Sequence, residues 1–258
     1  MNLIDKGFEH LWKAETEKVT VAPLTEMFPN LTVEEAYQIQ LKVIEKKVQQ
    51  GQRIVGKKIG LTSLAMQQLL GVDQPDYGHL LDRMEVKKGQ PVPVEGLFRP
   101  RIEAEVAFVL KQDLRGPGIT IEDVYEATDY IVPSFEVVDS RITNWRIKLA
   151  DTIADNASSG LFLLGEQKFK VEDVDLPSIK MDLYKNGEYM NTGYGTDVLG
   201  NPAFCVAWLA NKLAEYNIYL NAGEVILSGA LSAALDVEKG DHFRAVFTQL
   251  GEIEIQFI

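Results

Sequence analysis

Cysteine is almost missing from this chain: Cys205 is the one cysteine in 258 residues, so neither an intrachain disulfide nor a cysteine-based zinc site can form. It lies in an apolar, helix-like stretch and reads as a small core residue. Long apolar runs are missing too, and no stretch approaches the roughly 18 apolar residues that span a bilayer as a helix. Positive charge is scarce, with 26 Lys+Arg against 38 Asp+Glu and a formal net charge of −12. Nucleic-acid binding by counterion release needs a basic patch, so nucleic acid is excluded as the main partner. G-x-S-x-G, P-loop and GxGxxG patterns are absent, which removes the common serine-hydrolase and nucleotide-binding motifs. The three histidines, His10, His79 and His242, are scattered and carry no triad spacing. The first residues, MNLIDKGFEHLWKAE, place acids and a Trp where a secretory signal needs a basic start and an apolar run. A reducing cytoplasm is therefore the expected compartment, with no membrane partner.

What is present is an ordinary globular composition, 46% apolar and 25% charged. Residues 1–51 read as an N-terminal helical region. Thr32 and Glu35 form a capping box, and Ala36, Ile39, Val43 and Ile44 supply an apolar stripe that Gly51 ends. Residues 52–258 change texture to short β-type runs separated by Gly, Pro and Asp: RIVGKKIGL, IEAEVAFVL, DYIVPSFEVVD, SGLFLLG, SIKMDLYKNG, GEVILSG, HFRAVFTQLG and EIEIQFI. Helical patterns interrupt them at 121–130 and 202–216. Many strands with few crossover helices predict an α+β protein built on a mixed or mostly antiparallel β-roll, not a doubly wound sheet.

The strand-like IEAEVAFVL is the most informative segment. Its alternation puts Ile102, Ala104, Val106, Phe108 and Leu110 on one face and Glu103, Glu105, Ala107 and Val109 on the other. Two carboxylates on a face that turns apolar are costly unless a cation neutralises them, and a hard divalent ion does so. EIEIQF repeats the spacing, but Glu252 and Glu254 share their face with Gln256, so that pair reads as a solvated strand face. Glu136, alone among apolar neighbours, offers a third oxygen ligand or an ion pair with Arg141 or Arg146. No Cys or His clusters with these acids, which favours Mg²⁺ or Mn²⁺ over Zn²⁺. Lys58, between Gly56 and Gly60, is either a substrate-carboxylate or proton-transfer group or a solvated strand lysine. Asp73 and Asp76 fall in a Pro-containing segment that reads as a turn, and residues 155–160 read as a loop or a pocket wall.

Taken in order, VGKKIGLTS, GVDQPDYG, RPRIEAEVAFVL, PSFEVVDSRI, ADNASSG and ILSGAL resemble the 2-hydroxypenta-2,4-dienoate (2-oxopent-4-enoate) hydratase family, which shares its fold with fumarylacetoacetate hydrolase. The resemblance runs across almost the whole chain. It implies Mg²⁺ or Mn²⁺ at Glu103, Glu105 and Glu136, catalytic roles for Lys58 and Asp76, and pocket serines at Ser159 and Ser228. Asp76 and the RITNW that follows Ser140 look like the hydratase side, since related decarboxylases often carry an apolar residue in place of that acid. Ser232, Ala233 and Ala234 look closer to the decarboxylases.

The implied reaction is hydration of a small anionic 2-hydroxy/2-oxo dienoate to 4-hydroxy-2-oxopentanoate, in meta-cleavage catabolism of aromatic compounds. The implied assembly is a homo-oligomer associated with a 4-oxalocrotonate decarboxylase. Two rivals stand beside it: a metal-dependent decarboxylase acting on 2-oxo-3-hexenedioate, and a non-catalytic scaffold subunit of a hydratase-decarboxylase complex.

Overall fold

The computed structural model describes residues 2–63, 67–68, 72 and 74–258. The chain begins with helices α1 (Leu3–Glu17), α2 (Leu24–Met27) and α3 (Val33–Gln49). Asn2 caps α1 by accepting from the Asp5 amide at 2.8 Å, and Lys18 closes it in the left-handed region. The expected capping box of α3 is present, with the Thr32 and Glu35 side chains each bonding the other's backbone N–H. Ala36, Ile39, Val43 and Ile44 are all buried, as their spacing required, and Tyr37 and Gln40 join them.

The strands follow as β1 (Ile54–Gly60), β2 (Asp76–Leu81), β3 (Glu85–Val86), β4 (Arg101–Leu110), β5 (Thr128–Val138), β6 (Ser159–Leu164), β7 (Lys180–Lys185), β8 (Glu188–Tyr194), β9 (Val225–Ala230), β10 (Leu235–Asp236), β11 (His242–Phe247) and β12 (Gly251–Gln256). Between them lie α4 (Ile121–Ala127), α5 (Leu149–Ala154) and α6 (Pro202–Ala214). Among the described residues the larger sheet runs β2-β1-β9-β4-β5-β6-β3, with β10 beside β4, and the smaller runs β12-β11-β7-β8. Pairing is antiparallel except β1 with β9 and β3 with β6, so the sheet is mixed. β2 and β3 stand at opposite ends of the larger sheet, yet only the 3₁₀ turn Asp82–Met84 separates them in sequence. That short link forces the sheet to curl into a roll.

Three sequence readings are corrected. The helix at 121–130 stops at Ala127, because β-branched Thr128, Ile131 and Val132 pair with β4 as the start of β5. The helix at 202–216 ends two residues early, at Ala214. Asp76 is not a turn residue but the first residue of β2, held opposite Gly60 of β1. Asp73 lies outside the described residues. Helix α5 and strand β8 carried no clear periodic signal and were not anticipated.

The β4 alternation is realised. Ile102, Ala104, Val106, Phe108 and Leu110 enter the main core, which also takes in Leu11, Ile39 and Leu209 from the helices. Ala107, on the other face, packs with Leu80, Val132, Phe162 and Leu227 inside the roll. Burying a Phe or Leu side chain contributes about 1.5–3 kcal/mol, so both faces of β4 stabilise the fold. Cys205 is a buried core residue of α6.

Candidate active site

The polar end of the roll interior is built by the residues that precede this apolar patch on the same strand faces. Glu103 of β4 stands directly across from Glu136 of β5, and Glu105 sits two residues along on the same face. Like charges placed opposite each other on a sheet destabilise it, so something must compensate. The three carboxylates each offer an oxygen within 4.8 Å of the others. Glu105 and Glu136 are 0% exposed.

Two of the three acids are held by groups outside the carboxylate cluster. Glu105 Oε2 accepts from the Gly229 amide at 2.8 Å, while Oε1 has no hydrogen-bond partner among the described residues. Gly229 has φ +111°, and a Cβ there would strike Thr62 Oγ1 at 2.2 Å, so only glycine brings this amide so close. Glu136 Oε1 accepts from Ser159 Oγ at 3.1 Å. Its Oε2 lies 3.2 Å from Lys58 Nζ, an ion pair without hydrogen-bond alignment. The alternative reading of Glu136 as an ion-pair partner of Arg141 or Arg146 is therefore corrected. Arg141 engages Asp155 at 2.6 Å and Arg146 pairs with Glu26, while Lys58 reaches Glu136 across the curl of the sheet.

Lys58 is 3% exposed and donates to the Ala157 carbonyl at 3.2 Å, so the solvated-lysine reading also fails. Asp76 is buried beside it. A Cβ on Gly60 would lie 2.2 Å from Asp76 Oδ1 and 3.3 Å from Lys58 Nζ, so the missing side chain leaves the space that both groups border. Asp76 Oδ1 and the fully buried Ser228 Oγ have no hydrogen-bond partner among the described residues. The structure thus brings Lys58, Asp76, Glu103, Glu105, Glu136 and Ser159 into one cluster, and leaves Ser228 buried next to the Gly229 amide that binds Glu105.

Electrostatics follow from this crowding. Burial pushes Glu103 up to about 7, with Glu136 and Asp76 adding to the shift and Lys58 opposing it. Burial also raises Glu105, Glu136 and Asp76, again against the pull of Lys58. For Lys58, burial alone would lower the pKa, but the summed attraction of Glu136, Asp76, Glu103 and Glu105 outweighs it and holds the ammonium form. One cation facing three buried acids and the half-buried Glu103 leaves more carboxyl groups than cations in a low-dielectric site. The free Oε1 of Glu105 and the Oε2 of Glu136, which meets only the Lys58 ammonium, with no Cys or His in the cluster, fit a hard divalent cation.

The C-terminal E-x-E is the contrast. Glu252 pairs with Arg244 at 3.0 Å and Glu254 lies 3.4 Å from His242, both on the exposed face expected of them.

Sequence reasoning missed the second lysine. Lys57 points to the opposite face of β1 and is also buried, on Glu224 at 2.7 and 2.8 Å. Two adjacent lysines on a strand must face opposite ways, which was the available signal. It also missed Arg141 and Asp155, whose partners are set by the path of the chain after β5.

The profile of the family described as fumarylacetoacetate (FAA) hydrolase C-terminal matches residues 80–258. The chain belongs to this family. The match spans the carboxylate cluster and Ser159 and Ser228, while Lys58 and Asp76 precede it. Among individual proteins, the chain is 47% identical over 256 residues to 2-hydroxyhexa-2,4-dienoate hydratase of Comamonas testosteroni, covering 98% of this chain and 97% of that one. It is 49% identical over 217 residues to 2-hydroxypent-2,4-dienoate hydratase of Pseudomonas putida, covering 84% and 98%. Among solved structures it is similar to the 4-oxalocrotonate decarboxylase from Pseudomonas putida G7 complexed with magnesium and adipate, with a TM-score of 0.96, 39% identity and coverage of 99% and 97%. The FAA hydrolase family thus contributes the α+β roll, and the chain's similarity within it runs to both hydratases and a decarboxylase.

Proposed function

We propose that this protein is a divalent-metal-dependent hydro-lyase that converts 2-hydroxypenta-2,4-dienoate (2-oxopent-4-enoate) to 4-hydroxy-2-oxopentanoate. The observation that carries it is the gathering of Glu103, Glu105 and Glu136 around Lys58 and Asp76 in one buried site. The hydratases at 47% and 49% identity support the substrate class.

Glu103, Glu105 and Glu136 are the residues that would hold Mg²⁺ or Mn²⁺, and the ion would supply Lewis acidity toward the substrate's C1 carboxylate and 2-oxygen. The chain's own groups do the rest. Lys58, kept as an ammonium by its acidic neighbours, orients the 2-oxygen and stabilises negative charge that develops there. Asp76, raised by burial against the pull of Lys58, is the group assigned to proton exchange with C5 of the dienol. Protonation at C5 with release of the 2-hydroxyl proton leaves a 2-oxo-3-enoate whose C4 is electrophilic; water adds there, giving up a proton to the Asp76 carboxylate, and C3 takes up a proton to complete 4-hydroxy-2-oxopentanoate. Ser159 holds Glu136 in place, and Ser228 offers a free hydroxyl to carboxylate or water.

A decarboxylase reading has one observation in its favour, the TM-score of 0.96 to a 4-oxalocrotonate decarboxylase that holds the dicarboxylate adipate. A second substrate carboxylate needs a second cation. Lys58 is engaged by Glu136, and Arg101 is pinned to Asp236 at 2.9 Å. The deciding experiment incubates the protein and Mg²⁺ with 2-hydroxypenta-2,4-dienoate and, separately, with 2-oxo-3-hexenedioate. Conversion of the first to 4-hydroxy-2-oxopentanoate is expected; CO₂ release from the second without hydration of the first overturns the assignment.

No helix among the described residues is long and apolar enough to cross a membrane. One buried cysteine suits a reducing compartment, and we place the enzyme in the cytoplasm as a homo-oligomer associated with a 4-oxalocrotonate decarboxylase.

A further inference from the structure

Between α5 and β6 three consecutive residues without a glycine among them, Asn156, Ala157 and Ser158, have φ of +57°, +48° and +51°. L-residues rarely adopt this region, and a run of three persists only where surrounding bonds over-determine it. Those bonds converge on two buried side chains. The Arg141 guanidinium donates to the carbonyls of Asp139 at 2.7 Å and Ser159 at 2.8 Å, to the Asp155 carbonyl, and through Nε to Asp155 Oδ1 at 2.6 Å. Asp155 Oδ2 accepts from Ser140 Oγ at 2.9 Å, from the Arg141 amide at 3.1 Å and from Ser158 Oγ at 3.2 Å.

The other side of the turn is fixed to β2. The Asn156 side chain accepts from the His79 amide at 2.8 Å and donates to the His79 carbonyl at 2.9 Å, standing in for a neighbouring strand. A Cβ on Gly78 would lie 2.4 Å from the Asn156 carbonyl oxygen, so glycine there lets the turn sit flush against the strand. What this turn presents to the cluster is the Ala157 carbonyl, to Lys58 Nζ, and the Ser159 hydroxyl, to Glu136.

We infer that Arg141 and Asp155 form a positioning pair: they clamp the left-handed turn at residues 156–158 so that the Ala157 carbonyl fixes the Lys58 ammonium. Both act on the cluster through the turn. α1 and α3 close the clamp from outside, where the Glu15–Lys47 pair at 2.8 Å lines a small cavity with Arg141 and Asp155. Arg141 suits this task because its planar fork serves several carbonyls at once, which a lysine ammonium cannot. The inference rests on the reading of Lys58 as the active-site amine.

The test uses the full-length, Mn²⁺-loaded protein with Arg141→Lys and, approaching the pair from its other member, Asp155→Asn. Arg141→Lys keeps the charge but loses the fork. It is expected to lower kcat by about 30- to 100-fold with KM changed less than about threefold, the scale at which a misplaced group slows chemistry without weakening binding. Amide exchange at residues 155–159 and at His79 should rise while the β4 and β5 amides stay protected. Acetylation of Lys58 by acetic anhydride, read by mass spectrometry on the metal-free protein, should speed up at least fivefold, because the side chain, no longer tied to Ala157, reaches solvent and the reagent more often. Wild-type kcat, or a Lys58 labelling rate equal to wild type, overturns the clamp. If Arg141→Lys does not fold, the isosteric Asp155→Asn carries the same three readouts, and the same results support or overturn the clamp. If the wild-type protein hydrates no dienoate, the functional reading fails instead, and the labelling and exchange rates still decide whether the pair positions Lys58.

Discussion

Glu105 illustrates how much a single side chain does here. It is fully buried, takes one amide bond from Gly229 and leaves its other oxygen without a hydrogen-bond partner. Glu105→Gln removes a charge and little volume. In the wild type, Mg²⁺ or Mn²⁺ at 100 times its dissociation constant should stabilise the fold by about 2.7 kcal/mol, since only the folded chain assembles the three carboxylates. In Glu105→Gln that gain should largely vanish and metal-dependent turnover should fall at least about 100-fold, while the metal-free variant melts no lower than the wild type because it buries one charge fewer. Thermal melts with and without metal, beside a hydration assay, check all three. Undiminished metal stabilisation would remove Glu105 from the ligand set. Glu252 and Glu254 show that the E-x-E spacing was legible but ambiguous. What separated the pairs was the apolar continuation at Ala107 and Val109, readable from sequence, and the curl that brings Lys58 across, which was not.

At the scale of elements, strands were read more faithfully than the segments between them. β4 and β5 announced themselves by alternation, and the α3 capping box by its Thr32–Glu35 spacing. The left-handed turn did not, because Asn, Ala and Ser carry no local demand for positive φ and the conformation is imposed by Arg141 and Asp155. That imposition has an energetic consequence. An alanine in the left-handed region costs about 1–2 kcal/mol, and glycine costs about 0.5–1 kcal/mol more unfolded-state entropy than alanine. Ala157→Gly should therefore stabilise the protein by roughly 0.5–1 kcal/mol, raising the melting temperature by about 1–4 °C. Calorimetry checks it; a lower melting temperature would mean that the turn is not strained at Ala157.

For the molecule as a whole, the helical N-terminal residues and the roll share one core, joined by a polar bridge. Gln40 of α3 donates to the carbonyls of Tyr77 in β2 and Ile153 in α5 at 2.9 and 2.7 Å, and its oxygen faces His79 Nδ1 at 3.0 Å. With the Gln40 amide nitrogen committed to two carbonyls, His79 must donate from Nδ1 to the Gln40 oxygen. Burial, helped by the charge of Lys57, lowers His79 from 6.5 to about 3. The unfolded chain binds a proton at about 6.5 that the folded chain refuses, so this stabilisation is complete above pH 6.5 and lost as the pH falls toward 3. Its slope is about 1.4 kcal/mol per pH unit. His79→Gln removes the titration. Urea unfolding between pH 6 and pH 4 should show wild-type stability declining more steeply than the variant's by about that slope, and parallel curves would mean that His79 is not buried neutral.

Read as a linear chain, the protein determined which residues were able to form its elements and what chemistry its acids favoured. Alternation and capping are local, and the hardness of a carboxylate donor set does not depend on the fold. Only the tertiary structure decided which lysine meets which acid. Lys57 and Lys58 are adjacent and chemically identical, yet one buries against Glu224 and the other joins Glu136 and Asp76. It also decided that Asp76 heads a strand, and that Arg141 holds a turn instead of neutralising Glu136. These outcomes depend on contacts between residues far apart in sequence, brought together because the short link between β2 and β3 makes the sheet curl.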